Sequence, residues 1–359
     1  MRVGLVLAGD IDARSGGFYY DRRLRDRLRD RGHEVTVLSL PWRSYPRQLA
    51  DTLRARRIAA QLDGVDADVL VEDGLAHPSL VAANRRVETP TAALLHMLAS
   101  RARSGLARRV VRRVEGRFLS GVDAAVYNSA ATRAGAEALG APSRAVVAPP
   151  AGDRFDPDIA PAAIRERAGD GPLDLTFLGN VVERKGLDTL VDALGALDAG
   201  SEATVDWRLT VVGDTGVDPG HVERVREAAA AAGVAGRIRF TGRLDDDAVA
   251  ARLRETHALA VPSRYEPFGM AHLEAMGFGC VPLASTAGGA GEFVTDGASG
   301  VLVPPGDSAA VADRIRRLDD RERLAEMGVS ARRAYEAWPT WTETLDGAVD
   351  FLEEVSRAR

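Results

Sequence analysis

Lysine is nearly missing from this sequence. Of its 47 basic residues 46 are arginine, and the one lysine, Lys185, stands in the stretch GNVVERKGLDTL at residues 179–190. Cysteine occurs once, at Cys280. That excludes a disulfide within the chain and fits a reducing compartment. No apolar run approaches the roughly 20 residues that cross a bilayer, and the run in MRVGLVLAGD is too short for a secretory leader. Histidine and cysteine are too scattered to suggest a zinc site, and no repeated motif suggests a solenoid. The expectation is a cytoplasmic protein with neither an obligatory metal nor another cofactor, and with no nucleic-acid partner.

What is present is a chain of 359 residues, 45% hydrophobic and 28% charged. That is longer than one core usually serves and implies two domains of ordinary size. The formal charge of -5 is unevenly spread, with +6 in residues 1–160 and -11 in the remainder. Such a split suggests that the two halves meet different partners.

Short runs rich in Val and Leu alternate with amphipathic, arginine-rich segments in both halves. RVGLVLAG, HEVTVLSL, ADVLVED, TAALLHM and DAAVYNS come first; LDLTFLGN, WRLTVVGD, RIRFTG, HALAVPS, CVPLAS and GVLVPP follow. This is the pattern of parallel sheets with crossover helices. Between the two series, SRAVVAPPAGDRFDPDIAP is rich in Pro, Gly and Asp and reads as a linker. The fold class is therefore α/β, with two doubly wound, Rossmann-like domains in series. The boundaries are 1–155 for the first domain, 156–171 for the linker and 172–339 for the second domain, with a last helix at 340–359.

The strongest local signal is VPSRYEPFGMAHLEAMGFGCVPLASTAGGAGEFVTDGASGVLVPPGD. Pro267 suits a first helical position, so a helix is expected to begin near Glu266 to Phe268. The free N–H groups of Phe268, Gly269 and Met270 then mark an end that favours anionic or hydroxyl-rich ligands. Glu274 follows Glu266 by about two helical turns. Taken alone, the same two residues also read as a helix cap and a surface carboxylate. Two other acidic patterns are set aside. DAD at 66–68 precedes a strand where a metal-binding Asp-x-Asp would end one, and DDD at 245–247 reads as a helix start.

The spacing of Glu266 and Glu274, the GG at 288–289 with Glu292, and the closing GVLVPPGD resemble the signature of glycosyltransferase family 4. The resemblance extends over nearly the whole chain, through GG at 16–17, His96 after a first-domain strand, VYNSAAT and FLGNVVERKG. It implies a GT-B fold, two Rossmann-like domains facing across a cleft, with the last helix packing back on the first domain. It also implies a retaining enzyme that moves a sugar from a nucleoside-diphosphate sugar to an acceptor hydroxyl.

By the same resemblance Glu266 contacts the donor sugar, Glu274 accepts hydrogen bonds from the ribose, and Lys185 neutralises the donor diphosphate. The glycine at 17 lets backbone approach the donor, His96 contacts the donor sugar or active site, and the base is held near Gly242 in the stretch 241–243. One departure stands out: the family often has an arginine after the glycine matching Gly179, and here that position is Asn180. Arg184 is the candidate to replace it. Two alternatives to a glycosyltransferase remain at this point, a nucleotide-sugar epimerase of the same fold and a non-catalytic sugar-nucleotide binding protein.

In residues 100–121, SRARSGLARRVVRRVEGRFLSG, seven arginines face one glutamate. Leu106, Val110, Val114 and Phe118 recur at helical spacing, giving an apolar face that either packs into the domain or meets a surface. The second possibility would place the protein peripherally on the inner face of an anionic membrane.

Overall fold

The computed structural model describes residues 1–169, 171–199 and 205–357. The chain separates into two compact units. One is Met1–Pro150 with the segment from Thr340 onward, and the other is Ala151–Pro339.

The first unit is built on six strands: β1 (Arg2–Ala8), β2 (Glu34–Leu40), β3 (Val69–Asp73), β4 (Thr91–Leu95), β5 (Ala124–Tyr127) and β6 (Ala145–Val147). They form one parallel sheet in the order β2-β1-β3-β4-β5-β6. Every residue of β3, β4 and β5 is buried, as expected of strands covered by helices on both faces. The edge strand β2 is half exposed and alternates accordingly. The helix Trp341–Ser356 belongs to this unit. Trp341 lies against the rings of Tyr19 and Tyr20, and Asp346 pairs with Arg27 and Arg31 of the helix Gly16–Asp30.

The second unit repeats the plan with β7 (Leu173–Leu178), β8 (Trp207–Val212), β9 (Ile238–Gly242), β10 (Ala258–Val261), β11 (Val281–Ser285) and β12 (Val301–Val303). Its parallel sheet runs β12-β11-β10-β7-β8-β9. The chain thus winds outward from β7 to β9 on one side, then returns to place β10 on the other side of β7. The loops leaving β7 and β10 start side by side at this reversal, the place where open α/β sheets bind ligands.

Two local expectations are corrected. The stretch 143–147, read as the start of a linker, supplies edge strand β6, whose three residues are too few to register as a periodic run. The expected linker at 156–171 contains the helix Pro161–Gly169, with Ile164 and Ala168 buried in the core of the second unit. The Pro and Asp residues before it end at a helix start, where proline is tolerated.

Burial also leaves a titratable group in the core of the first unit. Glu72, on β3, is fully buried; Asn84 donates to one carboxylate oxygen at 2.6 Å and the other oxygen has no partner. Burial pushes its pKa up to about 8, although the Asn84 hydrogen bond opposes the shift. A carboxyl that keeps its proton in the folded state but loses it near 4.5 when unfolded stabilises the fold at low pH. That contribution is lost as pH rises toward 8, at up to about 1.4 kcal/mol per pH unit. Glu72→Gln should therefore flatten the fall of the melting temperature between pH 5 and pH 8 relative to the parent protein. Parallel melting curves across that range would show the Glu72 assignment to be wrong.

Candidate functional site

Lys185 and Glu266 meet where the second sheet reverses. After β7 the chain turns at Gly179, whose φ of +149° suits glycine, and passes through a short 3-10 turn at Glu183–Lys185. Gly186 closes the turn with φ of +72°, and a Cβ there would lie 2.2 Å from the carbonyl oxygen of Pro262. This contact locks the loop after β7 against the loop after β10. The Lys185 stem crosses Gly179, where an added Cβ would stand 3.4 Å from its Cε. Its Nζ donates to Glu266 Oε2 at 2.7 Å.

Glu266 is held from several sides. Its N–H donates to the carbonyl of Ala287 and its carbonyl accepts from Gly289 N, with Gly288 packed directly against it. Ser263 donates to Oε2 at 3.0 Å, and Arg184 Nη1 lies 3.7 Å from the same oxygen. Burial alone would favour the protonated acid, yet Lys185 and Arg184 hold its pKa down at about 2. The site therefore carries a fixed carboxylate between two cations.

The helix expected at Glu266 to Phe268 begins later, at Met270, with Gly269 as its cap at φ of +107°. The chain at Glu266 is instead paired with Gly288 as a short parallel bridge, which competes with a helical start there. Arg184 itself lies in the 3-10 turn, and the helix that follows begins at Leu187. The Phe268 side chain turns inward onto Phe293 and Trp338, leaving its backbone as the part that can meet a ligand. The amides of Gly269, Met270 and Ala271 begin a helix and have no partner within it.

Glu274 lies one turn into the same helix and is 5% exposed. Among the described residues none donates a hydrogen bond to its carboxylate. Burial raises its pKa to about 7, with Arg154 pulling the other way and Asp246 adding to the rise. A buried carboxylate with open acceptor capacity is suited to hydroxyl donors from a ligand.

The carboxyl ends of β7, β8 and β9 are joined by backbone hydrogen bonds: Gly179 N to Val212 O, and Gly213 N to Gly242 O. An added Cβ at Gly213 would stand 1.9 Å from the carbonyl oxygen of Gly179. Asn180 is exposed at this edge. Arg184 is not a free surface residue, since Nη1 donates to Tyr265 O at 2.7 Å.

The first unit brings His96 and Gly17 together. Gly16 and Gly17 form the first turn of the helix Gly16–Asp30, capped by Ser15. A Cβ on Gly17 would stand 3.1 Å from the His96 ring, so glycine admits the imidazole. His96 Nε2 lies 2.7 Å from Asp21 Oδ1, and Tyr20 packs edge-on at 5.1 Å. Burial would lower the pKa of His96, but the charges of Asp21 and Asp73 prevail and raise it. Asp73 itself rises to about 7, through burial first and the Asp21 charge second. Asp21, Asp73, Ser263 and Gly213 are contributions that sequence reasoning missed. Only Gly213, in VVGD at the end of an apolar run, carried a local signal.

No group of three or more His, Cys, Asp or Glu residues among the described residues is arranged to hold a metal ion. No helix there is long and apolar enough to cross a membrane.

With this geometry in place, comparison with known proteins is informative. Residues 163–334 match the model of glycosyl transferases group 1, and residues 6–152 match a glycosyl transferase 4-like domain. The phosphatidyl-myo-inositol mannosyltransferase of Mycobacterium leprae is 31% identical over 94% of this chain and 93% of its own. The GDP-mannose-dependent alpha-(1-6)-phosphatidylinositol monomannoside mannosyltransferase of Mycobacterium tuberculosis is 29% identical over 99% of each chain. In fold, the chain is similar to the sucrose-phosphate synthase of Thermosynechococcus elongatus, with a TM-score of 0.83 at 19% identity over 99% of this chain and 100% of that one. The chain belongs to the family 4 glycosyltransferases and has the GT-B class of fold. It is a hexosyltransferase, and neither the epimerase nor the binding-protein alternative has an observation in its favour.

The Asp21–His96 pair gives a direct test of the electrostatics. Asp21→Asn keeps a hydrogen-bonding group of the same size but removes the charge. The His96 ring should then lose its proton at a lower pH than in the parent protein, as followed by NMR of the ring C–H groups. An unchanged titration would show that Asp21 does not set the protonation of His96.

Proposed function

We propose that the enzyme transfers a sugar, with retention of anomeric configuration, from a nucleoside-diphosphate sugar bound on the second unit. The observation that carries this reading is the lone lysine held against a buried, ionised glutamate at the reversal of the second sheet. The dependence of the M. tuberculosis relative on GDP-mannose supports a nucleotide sugar, with GDP-mannose as the first donor to try.

In this reading Lys185 faces the diphosphate, whose charge grows as the sugar departs. A compact ammonium on a flexible stem can follow that charge, and its help is concentrated in the transition state. Arg184 supplies the second cation in place of the arginine absent at Asn180. Glu266 accepts hydrogen bonds from the donor sugar, and Glu274 accepts them from the ribose. The amides of Phe268, Gly269 and Met270 sit toward the sugar and phosphate, while backbone near Gly242 meets the base. Within the first unit, His96 with Gly17 beside it is the residue that resemblance to the family assigns to the sugar. No side chain in this set is placed as a covalent nucleophile. A front-face route, with a phosphate oxygen of the leaving group taking the acceptor proton, is the retaining mechanism this set favours.

Lys185→Ala should lower turnover about 100-fold or more with a smaller loss of affinity for the intact nucleotide sugar, and Lys185→Arg should restore part of it. Glu274→Ala should instead weaken nucleotide binding itself, since the ribose is held in ground and transition states alike. Calorimetric affinities beside initial rates separate the two. Wild-type turnover in a folded Lys185→Ala protein would remove the diphosphate role.

The acceptor side of the reading includes a membrane surface. The helix Gly105–Leu119 buries Val111, Val114, Phe118 and Leu119, so its inward stripe is not the one expected. Leu106 is 74% exposed and Val110 47%, and they stand among exposed Arg108, Arg109, Arg112 and Arg113. An apolar pair ringed by guanidinium groups suits anionic headgroups, each near-surface arginine adding roughly 1 kcal/mol. Cosedimentation with phosphatidylglycerol vesicles should occur at low salt, fade as salt rises, and weaken when the four arginines are changed to Gln. Binding that is absent at low salt, or unaltered by the changes, would point to a soluble acceptor.

A further inference from the structure

A cavity of about 490 Å³ lies within the first unit, lined by segments that follow β2, β3 and β4. It is therefore on the carboxyl side of the sheet, where α/β folds place ligands. Trp42 lines it and is 63% exposed, the most open of the large aromatic side chains. A flat indole face left in solvent suits the carbon face of a sugar or polyol.

The polar lining consists mainly of donors. Arg103 stacks 5.0 Å from the Tyr45 ring, and among the described residues no carboxylate lies within ion-pair distance of it. Arg43 spends one N–H on Asp51 at 3.1 Å, which leaves the rest of its guanidinium available. Gln48 is 4% exposed, and its amide nitrogen has no partner. Such a group is costly unless something accepts from it.

The remaining polar groups are already committed. His77 Nδ1 pairs with Gly74 O at 2.8 Å, so its N–H points there and Nε2 accepts from the Tyr45 hydroxyl at 3.0 Å. Burial keeps that imidazole neutral. Among the described residues no aspartate or glutamate lines the cavity. The acids nearest in sequence and structure are occupied elsewhere, Asp51 by Arg43 and Ser79, and Glu115 by the amide of Ser100.

We propose that this cavity binds a phosphate-bearing polyol, with Arg43, Arg103 and Gln48 on the phosphate and Trp42 against the carbon chain or ring. Two guanidinium groups and a free amide match the oxygens of a phosphate, and the absence of lining acids removes the repulsion an anion would otherwise meet. As the acceptor site, this assignment rests on the glycosyltransferase reading above; as a binding site it does not. The same chemistry is offered by a free polyol phosphate and by a phospholipid headgroup. Arg103 bridges the two, since it lines the cavity and also lies in the exposed segment leading into the arginine-rich helix.

The test uses glycerol 3-phosphate, with glycerol as the uncharged control, titrated into the whole protein by calorimetry and followed through tryptophan emission. Saturable binding of glycerol 3-phosphate but not glycerol is expected, weakened roughly tenfold or more by Arg103→Gln. Trp42→Ala should weaken it as well and abolish the emission change. Melting curves confirm that both variants fold. Vesicles of phosphatidylglycerol, against phosphatidylcholine, then identify the source: displacement of glycerol 3-phosphate marks a headgroup site, and retention marks a site for the soluble compound. Equal binding of glycerol, no saturation, or an unchanged affinity in folded Arg103→Gln would overturn the proposal. Nucleoside-diphosphate affinity measured on the same samples separates the two readings, because loss of phosphate binding alone leaves the donor site untouched.

Discussion

The ion pair between Lys185 and Glu266 is the constraint around which the second unit is arranged. A carboxylate this deeply buried stays ionised far below neutral pH only with cations close by and further donors on its oxygens. The structure meets both conditions with Lys185, Arg184 and Ser263. Those partners come from two loops that leave β7 and β10, strands adjacent in the sheet but far apart in sequence. The strand order is what makes the contact possible, because the reversal of winding puts these two loop ends side by side.

Glycine is what allows the loops to close so tightly. At Gly186, Gly213 and Gly288 a side chain would overlap a carbonyl of the neighbouring loop, and each also has positive φ. The backbone is brought within contact distance there, and the long side chains of Lys185 and Arg184 reach over it. A different use of burial appears on the helix that follows, Met270–Gly277: Glu274 is enclosed without a donor, where Glu266 is enclosed with several. Two carboxylates eight residues apart are thus pushed toward opposite ends of the carboxylate pKa range. One is a fixed anion, and the other has its acceptor capacity open to whatever binds.

Most of the fold could be read from sequence because parallel strands buried on both faces leave a loud signal. Eleven Val- and Leu-rich runs correspond to eleven of the twelve strands. The missing one, β6, is a three-residue edge strand beside Pro and Gly, too short for any periodicity to develop. In the site, Lys185, Glu266 and Glu274 were legible because residue type and spacing both pointed to them. Helix starts were not, since Pro267 fits the first turn of a helix equally well as the bridge that Glu266 makes with Gly288. Asp21 and Asp73 were invisible for another reason: a lone aspartate in a helix and one ending a strand become a pair around His96 only when the sheet assembles.

The arginine-rich helix shows how the same sequence period can be assigned to the wrong side. Leu106, Val110, Val114 and Phe118 form a fair helical stripe, yet the domain takes Val111 and Leu119 with the last two and leaves the first two outside. Residues 101–110 are all exposed, while Val111, Val114, Phe118 and Leu119 are buried in the domain. A helix that needed Leu106 and Val110 only for its own domain would have buried them, since leaving such side chains in water forgoes about 1.5–3 kcal/mol each. Their exposure beside arginines that make no ion pair among the described residues is therefore a surface feature that the internal packing of the first unit does not explain. The same segment begins at the cavity edge with Arg103, so apolar side chains, cationic charge and a donor-lined pocket are continuous along one stretch of chain. That continuity fits the positive charge of the first 160 residues, which internal ion pairing leaves largely unspent on this helix.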